Sequence, residues 1–299
     1  HAEVRWVMVS DASLYERIEP IAREFPHIAG VYTFNRIPGA KHWTEIKEAG
    51  RPDLKETLTE RRAAIQKDDT ATIIYTSGTT GFPKGVMNPQ LLTCSVREHV
   101  EDYREPVDIG PYLMVGPMYH AGTLGILRRL TGGRPIIVMK QFTALGALEA
   151  IQRYGVTGTT MVPTHFSRLL DVPNEVRTAC DVSSLTLLDH TGSSCPVAVK
   201  EAMINWMGPI LVDRYGGTEA GTVCTITSLE WLQYKGSAGK CLARFTAHVV
   251  DDNDVEVPIG QVGRLYFIDH SGEGVVYLNA PEKTAAAHIR PGVFTLGDL

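Results

Sequence analysis

Tyr75-Thr76-Ser77-Gly78-Thr79-Thr80-Gly81-Phe82-Pro83-Lys84-Gly85 gathers four hydroxyls, three glycines, one proline and one lysine into the ten residues from Thr76 onward. An apolar, β-branched run over residues 71–76 leads into it and predicts a buried strand. The loop that follows offers backbone N–H groups without Cβ obstruction, hydroxyl donors and a cation. Those are the ingredients of a phosphate cradle. It is not a Walker loop, which needs a serine or threonine directly after its lysine; here Gly85 follows Lys84.

On the N-terminal side, residues 4–9 and 28–34 read as strands flanking a helix over 12–24 that Ser10-Asp11 can cap, a β-α-β pattern. Residues 37–51 read as a loop with a short helical piece near Trp43, and Pro52-Asp53 can start a helix to residue 65. On the C-terminal side, helices are expected over 89–103, up to 130, and over 143–154, 164–170 and 196–206. Strands are expected over 112–115, 135–139, 158–162, 185–189 and 210–215. Polar, glycine-rich turns follow residues 75, 115, 189 and 214. In open α/β sheets, ligands collect at such strand ends. From about residue 237 short strands take over, at 245–250, 254–257 and 264–268. The expected division is therefore an α/β part over 1–236 and a β-rich subdomain over 237–299.

Composition narrows the function classes. The 299 residues are 43% hydrophobic and 21% charged, as in ordinary globular proteins. A net charge of −5 gives no basic footprint for nucleic acid, and no run approaches a membrane span. Five scattered cysteines without C-x-x-C spacing predict free thiols in a reducing compartment and no zinc site.

The wording T-S-G-T-T-G-x-P-K-G over residues 76–85 resembles the phosphate-binding signature of adenylate-forming enzymes: acyl-CoA synthetases, luciferases and adenylation domains of nonribosomal peptide synthetases. The resemblance requires an aromatic-Gly-x-Thr-Glu element, and Tyr215-Gly216-Gly217-Thr218-Glu219 fits, although alone it would be read as a turn. It implies that Thr76, Ser77, Gly78, Thr79, Thr80, Gly81 and Lys84 bind the ATP phosphates. Tyr215 and Gly216 would border the adenine, and Thr218 and Glu219 would act at the reacting phosphate. Thr80 and Glu219 would stand nearest Mg²⁺. An aromatic face suits a purine, and a hard oxygen ligand suits a hard cation.

Further matches extend it. Gly192-Ser193-Ser194, before Cys195-Pro196, resembles the small-residue turn beside the adenine. Leu296-Gly297-Asp298 resembles the family's T-G-D, with threonine replaced and the ribose-binding aspartate, Asp298, kept. Tyr277-Leu278-Asn279 resembles the stretch before that motif. Gly236-Ser237-Ala238-Gly239-Lys240 resembles a structural turn. Pro117-Met118-Tyr119-His120-Ala121-Gly122 resembles the acyl-pocket entry, so Met118, His120, Gly122, His165 and Gly217 are expected in the acyl pocket. The lack of an acid in that segment favours an uncharged acyl or aryl carboxylate over an amino acid.

The resemblance implies an α/β fold of layered mixed sheets with flanking helices and a small β-rich subdomain, truncated at both ends. The implied reaction is ATP-dependent activation of a small-molecule carboxylate, fatty or otherwise bulky, to acyl-AMP, followed by transfer to coenzyme A. ATP, Mg²⁺ and coenzyme A would be the cofactors, and the setting cytoplasmic. Family members are often dimers, so a homodimer is admitted. The small C-terminal domain, with the lysine that polarises the reacting groups, is expected beyond residue 299, so this chain alone is expected not to complete adenylation. Two alternatives stay open: an acyl-AMP ligase that loads a carrier protein, and a nucleotide-binding module without catalysis.

Overall fold

A computed structural model describes residues 2–76, 83–90, 110–118, 126, 129–130, 133–272 and 274–298. The chain divides into two compact units, residues 1–69 and 70–299.

In the first unit, β1 (Trp6–Val9), β2 (Gly30–Thr33) and β3 (Lys41–His42) form a parallel sheet in that order. Helix α1 (Ala12–Arg23) connects β1 to β2, and Asp11 caps it by accepting from the Leu14 N–H at 3.1 Å. Val9, Ala22 and Val31 are its buried core, because one stripe of the helix and one face of the sheet are apolar together. The expected β-α-β unit is present. The loop over 37–51 also supplies β3 and a helix α2 (Thr44–Glu48), and α3 (Leu54–Ala64) follows.

The second unit is built on a seven-stranded sheet. Its strands are β6 (Tyr112–Met114), β7 (Ile136–Val138), β8 (Gly158–Met161), β9 (Leu187–His190), β10 (Leu211–Gly217), β11 (Gly221–Thr227) and β12 (Lys240–Cys241), in the order β12-β11-β10-β9-β8-β6-β7. The five strands from β7 to β10 run parallel, and β11 and β12 are antiparallel additions at one edge. Against the parallel part pack α4 (Ala144–Tyr154), α5 (Pro163–Leu170) and α7 (Val197–Met207). Leu148, Ile151, Phe166, Leu169, Leu188 and Met203 are fully buried there. Each such side chain contributes about 1.5–3 kcal/mol relative to exposure. A short α6 (Asn174–Ala179) precedes β9, and α8 (Ser228–Gln233) follows β11.

Three of the four glycine-rich turns expected at strand ends do follow strands of this one sheet. The fourth does not. β4 (Thr70–Thr76) pairs antiparallel with β5 (Lys84–Pro89) in a separate hairpin. The lead-in strand is also not buried, since all its residues are half-buried or exposed; among the described residues β5 is its one partner strand.

β13 (Phe245–Val250), β14 (Arg264–Asp269), β15 (His288–Arg290) and β16 (Val293–Phe294) form a four-stranded antiparallel sheet in the order β13-β14-β16-β15, with α9 (Pro281–Ala286) before β15. Residues 254–257, expected as a strand, make one isolated bridge, Val250 with Glu256. The Asp251 carboxylate accepts from the Asn253 and Val255 N–H groups and bends the chain into a turn instead. A second core joins this sheet to β11 and the β4–β5 hairpin through Val86, Val223, Cys224, Phe245, Phe267, Tyr277 and Phe294. The helix expected over 89–103 lies outside the described residues, as does most of the one expected up to 130. Among the described residues, no helix is long and apolar enough to cross a membrane.

Candidate functional site

The Y-G-G-T-E stretch is the tip of a hairpin. Tyr215, Gly216 and Gly217 end β10, and Gly217 faces Gly221, the first residue of β11. A bulge falls between Tyr215 and Gly216. A Cβ at Gly216 would stand 1.9 Å from the Gly221 carbonyl oxygen, so only glycine lets the strands approach this closely. Thr218 and Glu219 form the turn and are half-buried.

Two separated stretches, those of Asp298 and Tyr277, bond this tip directly, and a third, that of Lys84, reaches it through Tyr277. The Tyr215 hydroxyl donates to Asp298 Oδ2 at 2.5 Å. Asp298 is exposed, and its backbone oxygen accepts from the Leu265 N–H of β14, which fixes where the carboxylate emerges. The Tyr277 hydroxyl donates to Glu219 Oε1 at 3.2 Å. Lys84 Nζ lies 4.9 Å from the centre of the Tyr277 ring, a cation–π contact. Tyr277 is held beside β5 by its bridge to Val86 and by the Leu278 N–H, which donates to Gly85 O at 2.8 Å. Lys84 in turn faces Thr76 across the mouth of the β4–β5 hairpin. Lys84, which follows the loop expected to hold phosphates, thus lies beside Tyr277, the partner of Glu219.

The tyrosines are tuned by this setting. Burial, then the hydrogen bond to and charge of Asp298, push the Tyr215 phenol well above its ordinary pKa. Burial, then the Glu219 charge and hydrogen bond, do the same for Tyr277. Both hydroxyls therefore remain protonated donors at neutral pH.

The expected site residues distribute as follows. Tyr215, Gly216, Gly217, Thr218 and Glu219 form the hairpin tip, Asp298 bonds Tyr215, and Lys84, paired with Thr76, is linked to the tip through Tyr277. Gly192, Ser193 and Ser194 form an exposed turn after β9, and the preceding Thr191 hydroxyl donates to Arg214 O at 2.8 Å, which ties that turn to β10. A methyl at Gly217 would stand 3.0 Å from Glu219 Oε2 and 3.5 Å from Leu296 Cδ2, so the missing side chain makes room for the glutamate. His165 sits in the first turn of α5. Its Nδ1 accepts from the Val162 N–H at 3.3 Å, its ring lies 4.2 Å from that of Phe142, and burial, then Arg168, lowers its pKa. Met118 is exposed after β6. Ser77, Gly78, Thr79, Thr80, Gly81, His120 and Gly122 lie outside the described residues.

Tyr277 has no role assigned by its sequence: nothing in the spacing of Tyr277-Leu278-Asn279 says that it touches both Glu219 and Lys84. A buried ionic network next to the site was equally illegible. Asp213 accepts from Lys200 Nζ and bonds His190 Nδ1, each at 2.8 Å, and Arg214 donates to Asp189 at 2.7 Å. A separate cleft lined by Arg177, Asp181, Thr186, Trp206 and Ile210 shares no residue with the cluster.

The donor set fits a magnesium nucleotide. Tyr215 offers an aromatic face, Asp298 a carboxylate for vicinal hydroxyls, Lys84 a cation for phosphate, and Glu219 a hard oxygen for the metal.

Comparison with known proteins gives the family. Over 265 residues the chain is 30% identical to the 3-[(3aS,4S,7aS)-7a-methyl-1,5-dioxo-octahydro-1H-inden-4-yl]propanoyl:CoA ligase of Mycobacterium tuberculosis, covering 86% of this chain and 49% of that protein. It is 29% identical to the medium/long-chain-fatty-acid–CoA ligase FadD8 of the same organism, covering 95% and 49%. The chain thus spans about half the length of the curated relatives it matches. The fold matches that of O-succinylbenzoate coenzyme A synthetase (MenE) from Bacillus subtilis, solved in complex with AMP. The TM-score is 0.72 at 21% identity, over 94% of this chain and 57% of that one. Residues 1–274 match the AMP-binding enzyme family, and the chain belongs to that family.

Proposed function

We propose that this chain is the nucleotide-binding part of an acyl-CoA synthetase that activates an uncharged, bulky carboxylic acid, fatty or polycyclic, and passes it to coenzyme A. The observation that carries the reading is the convergence of Lys84, Tyr277, Glu219, Tyr215 and Asp298 on one hairpin tip. The two CoA ligases to which the chain is similar, one of them acting on a fused-ring acid, support the thiol acceptor and the bulky acid.

In this reading Tyr215 stacks on the adenine, and Asp298 accepts from the ribose hydroxyls. Gly192, Ser193, Ser194 and Gly216 border the base. Lys84, with Thr76, Ser77, Gly78, Thr79, Thr80 and Gly81, holds the β- and γ-phosphates. Thr80 and Glu219 would hold Mg²⁺, which neutralises phosphate charge when bound. Thr218 reaches the α-phosphate, where the carboxylate attacks in line and pyrophosphate leaves. Met118, His120, Gly122, His165 and Gly217 line the approach of the acid. The chain's work is positioning and charge stabilisation. Tyr277 keeps Glu219 aimed by its hydrogen bond and keeps Lys84 over its ring. The reading also takes the setting as cytoplasmic, admits a homodimer, and leaves the polarising lysine to the part of the relatives' length that this chain does not span.

The test is an ATP-dependent CoA-thioester screen of the full-length protein over short, long, aromatic and steroid-like acids. Thioester with a long or polycyclic acid is expected. Transfer only to a phosphopantetheinyl carrier protein would replace coenzyme A as acceptor, and no adenylate with any acid would leave a binding module. Pyrophosphate release by the 299-residue chain is expected to be negligible, and robust turnover would contradict the division of labour.

A further inference from the structure

Two cysteines lie directly beside Tyr215. Cys224 on β11 is the register partner of Tyr215 on one side and of Cys241 on β12 on the other. Directly opposed residues in a ladder share a face, so the phenol and the two thiols line up across three strands. The Cys224 and Cys241 sulfurs are 3.3 Å apart.

The ladder geometry favours bonding between them. The Leu242 N–H donates to Val223 O at 2.8 Å. That places Cys224 and Cys241 at a non-hydrogen-bonded position, where opposed Cα atoms stand roughly 4.5 Å apart. The value falls at the short end of the disulfide range, about 4.4–6.8 Å. β12 enters through Gly239 at φ +91°, where a Cβ would stand 2.0 Å from Thr225 O, so only glycine lets the two strands approach this closely there. Cys224 is buried and Cys241 is half-buried, so Cys241 is the one of the two that a reagent reaches first.

We propose that Cys224 and Cys241 are a redox modification site: a low-molecular-weight disulfide converts them to a cross-strand disulfide, and this closure weakens nucleotide binding at Tyr215. The Cys241 thiolate attacks one sulfur of the reagent and displaces the first small thiol. Burial, then the contact with Cys241, raises the Cys224 thiol well above its ordinary pKa, so the slow step is the second one, in which Cys224 loses its proton, attacks the Cys241 sulfur and displaces the second small thiol. Two protein thiols and one small disulfide become one protein disulfide and two small thiols. Closure draws the sulfurs from 3.3 Å to bonding distance and so shifts the surface on which the Tyr215 ring leans. The second half of the proposal rests on Tyr215 being the adenine platform.

The experiment treats the 299-residue chain with glutathione disulfide, maps cysteines by alkylation and peptide mass, and titrates ATP before and after. A cross-linked peptide pair holding Cys224 and Cys241, reversed by dithiothreitol, is expected, with Cys180 and Cys195 still alkylated. Cys224→Ser is expected to trap a glutathione adduct on Cys241, and Cys241→Ser to block the reaction. ATP affinity is expected to fall by about threefold or more on oxidation of the wild type. A stable adduct on wild-type Cys241, or a cross-link elsewhere, overturns the pair. A cross-link without a change in ATP affinity overturns its link to Tyr215. If the reduced chain binds no ATP, the proposed function fails, while the cross-link still decides the pair.

Discussion

Consecutive residues of β10 lead two different lives. Asp213 and Arg214 are locked into buried ion pairs: Asp213 between His190 and Lys200, whose side chains are each 1% exposed, and Arg214 against Asp189. One residue later, Tyr215 makes a single hydrogen bond to an exposed carboxylate, and beyond it Glu219 takes one from Tyr277. The first group is multiply bonded and desolvated, so nothing can replace its partners without leaving a charge stranded. The second is half-buried, and each of its contacts is one hydroxyl–carboxylate hydrogen bond that a ligand's own donors or metal can supplant at small cost. The strand holds its fixed charges inside and offers its exchangeable ones at the tip.

Substitutions can break or sharpen this contrast. Asp213→Ala strands a buried ammonium beside His190, and a loss of about 3–5 kcal/mol in urea unfolding is expected. A stability change no larger than that of a surface variant would place Asp213 in the exchangeable group.

Acid offers the next largest effect. Burial opposes ionisation of Asp269, but hydrogen bonds from Arg244 and Ser271 outweigh it and hold its pKa at about 2. Asp213 is likewise lowered, burial again being overcome by His190 and Lys200. Lowered carboxyl pKa values contribute stability that is present above the unfolded value, 3.8, and is lost as pH falls towards the folded one. Urea midpoints are therefore expected to drop between about pH 4 and pH 2, with a shallower drop in Asp269→Asn. An unchanged slope in that variant would remove Asp269 from the locked class.

At the tip the effects fall on binding. Tyr215→Ala is expected to weaken ATP by roughly tenfold through lost stacking, with a smaller stability loss than Asp213→Ala. Tyr277→Phe is the mildest. It leaves the ring under Lys84 and removes one hydrogen bond to Glu219, so a few-fold weaker Mg-dependent binding, worth about 1 kcal/mol, is expected. Titration calorimetry checks both, and a larger effect from Tyr277→Phe than from Tyr215→Ala would invert the order of roles.

How much of this the sequence reveals depends on how far apart the partners lie. The Y-G-G-T-E tip and the Lys84 loop are local wordings and were legible. So were the parallel strands with their alternating helices, whose apolar periodicity is set by packing on a sheet. β11 was missed although Val223, Cys224 and Ile226 are buried, because its onset at Gly221 reads as the tail of the preceding turn. The contacts of Tyr277 with Lys84 and Glu219 join residues far apart in sequence, and no local pattern encodes them. His190, Lys200 and Asp213 read individually as solvent-facing charges. Only the register of β9 with β10, and the helix laid over them, brings them together.

The most direct test of the account titrates ATP into the 299-residue chain with Mg²⁺ and with a chelator, for the wild type and for Glu219→Gln. The account predicts saturable binding that Mg²⁺ tightens in the wild type, with that Mg²⁺ dependence lost in Glu219→Gln. Absence of saturable binding, or the same Mg²⁺ dependence in both proteins, would contradict it.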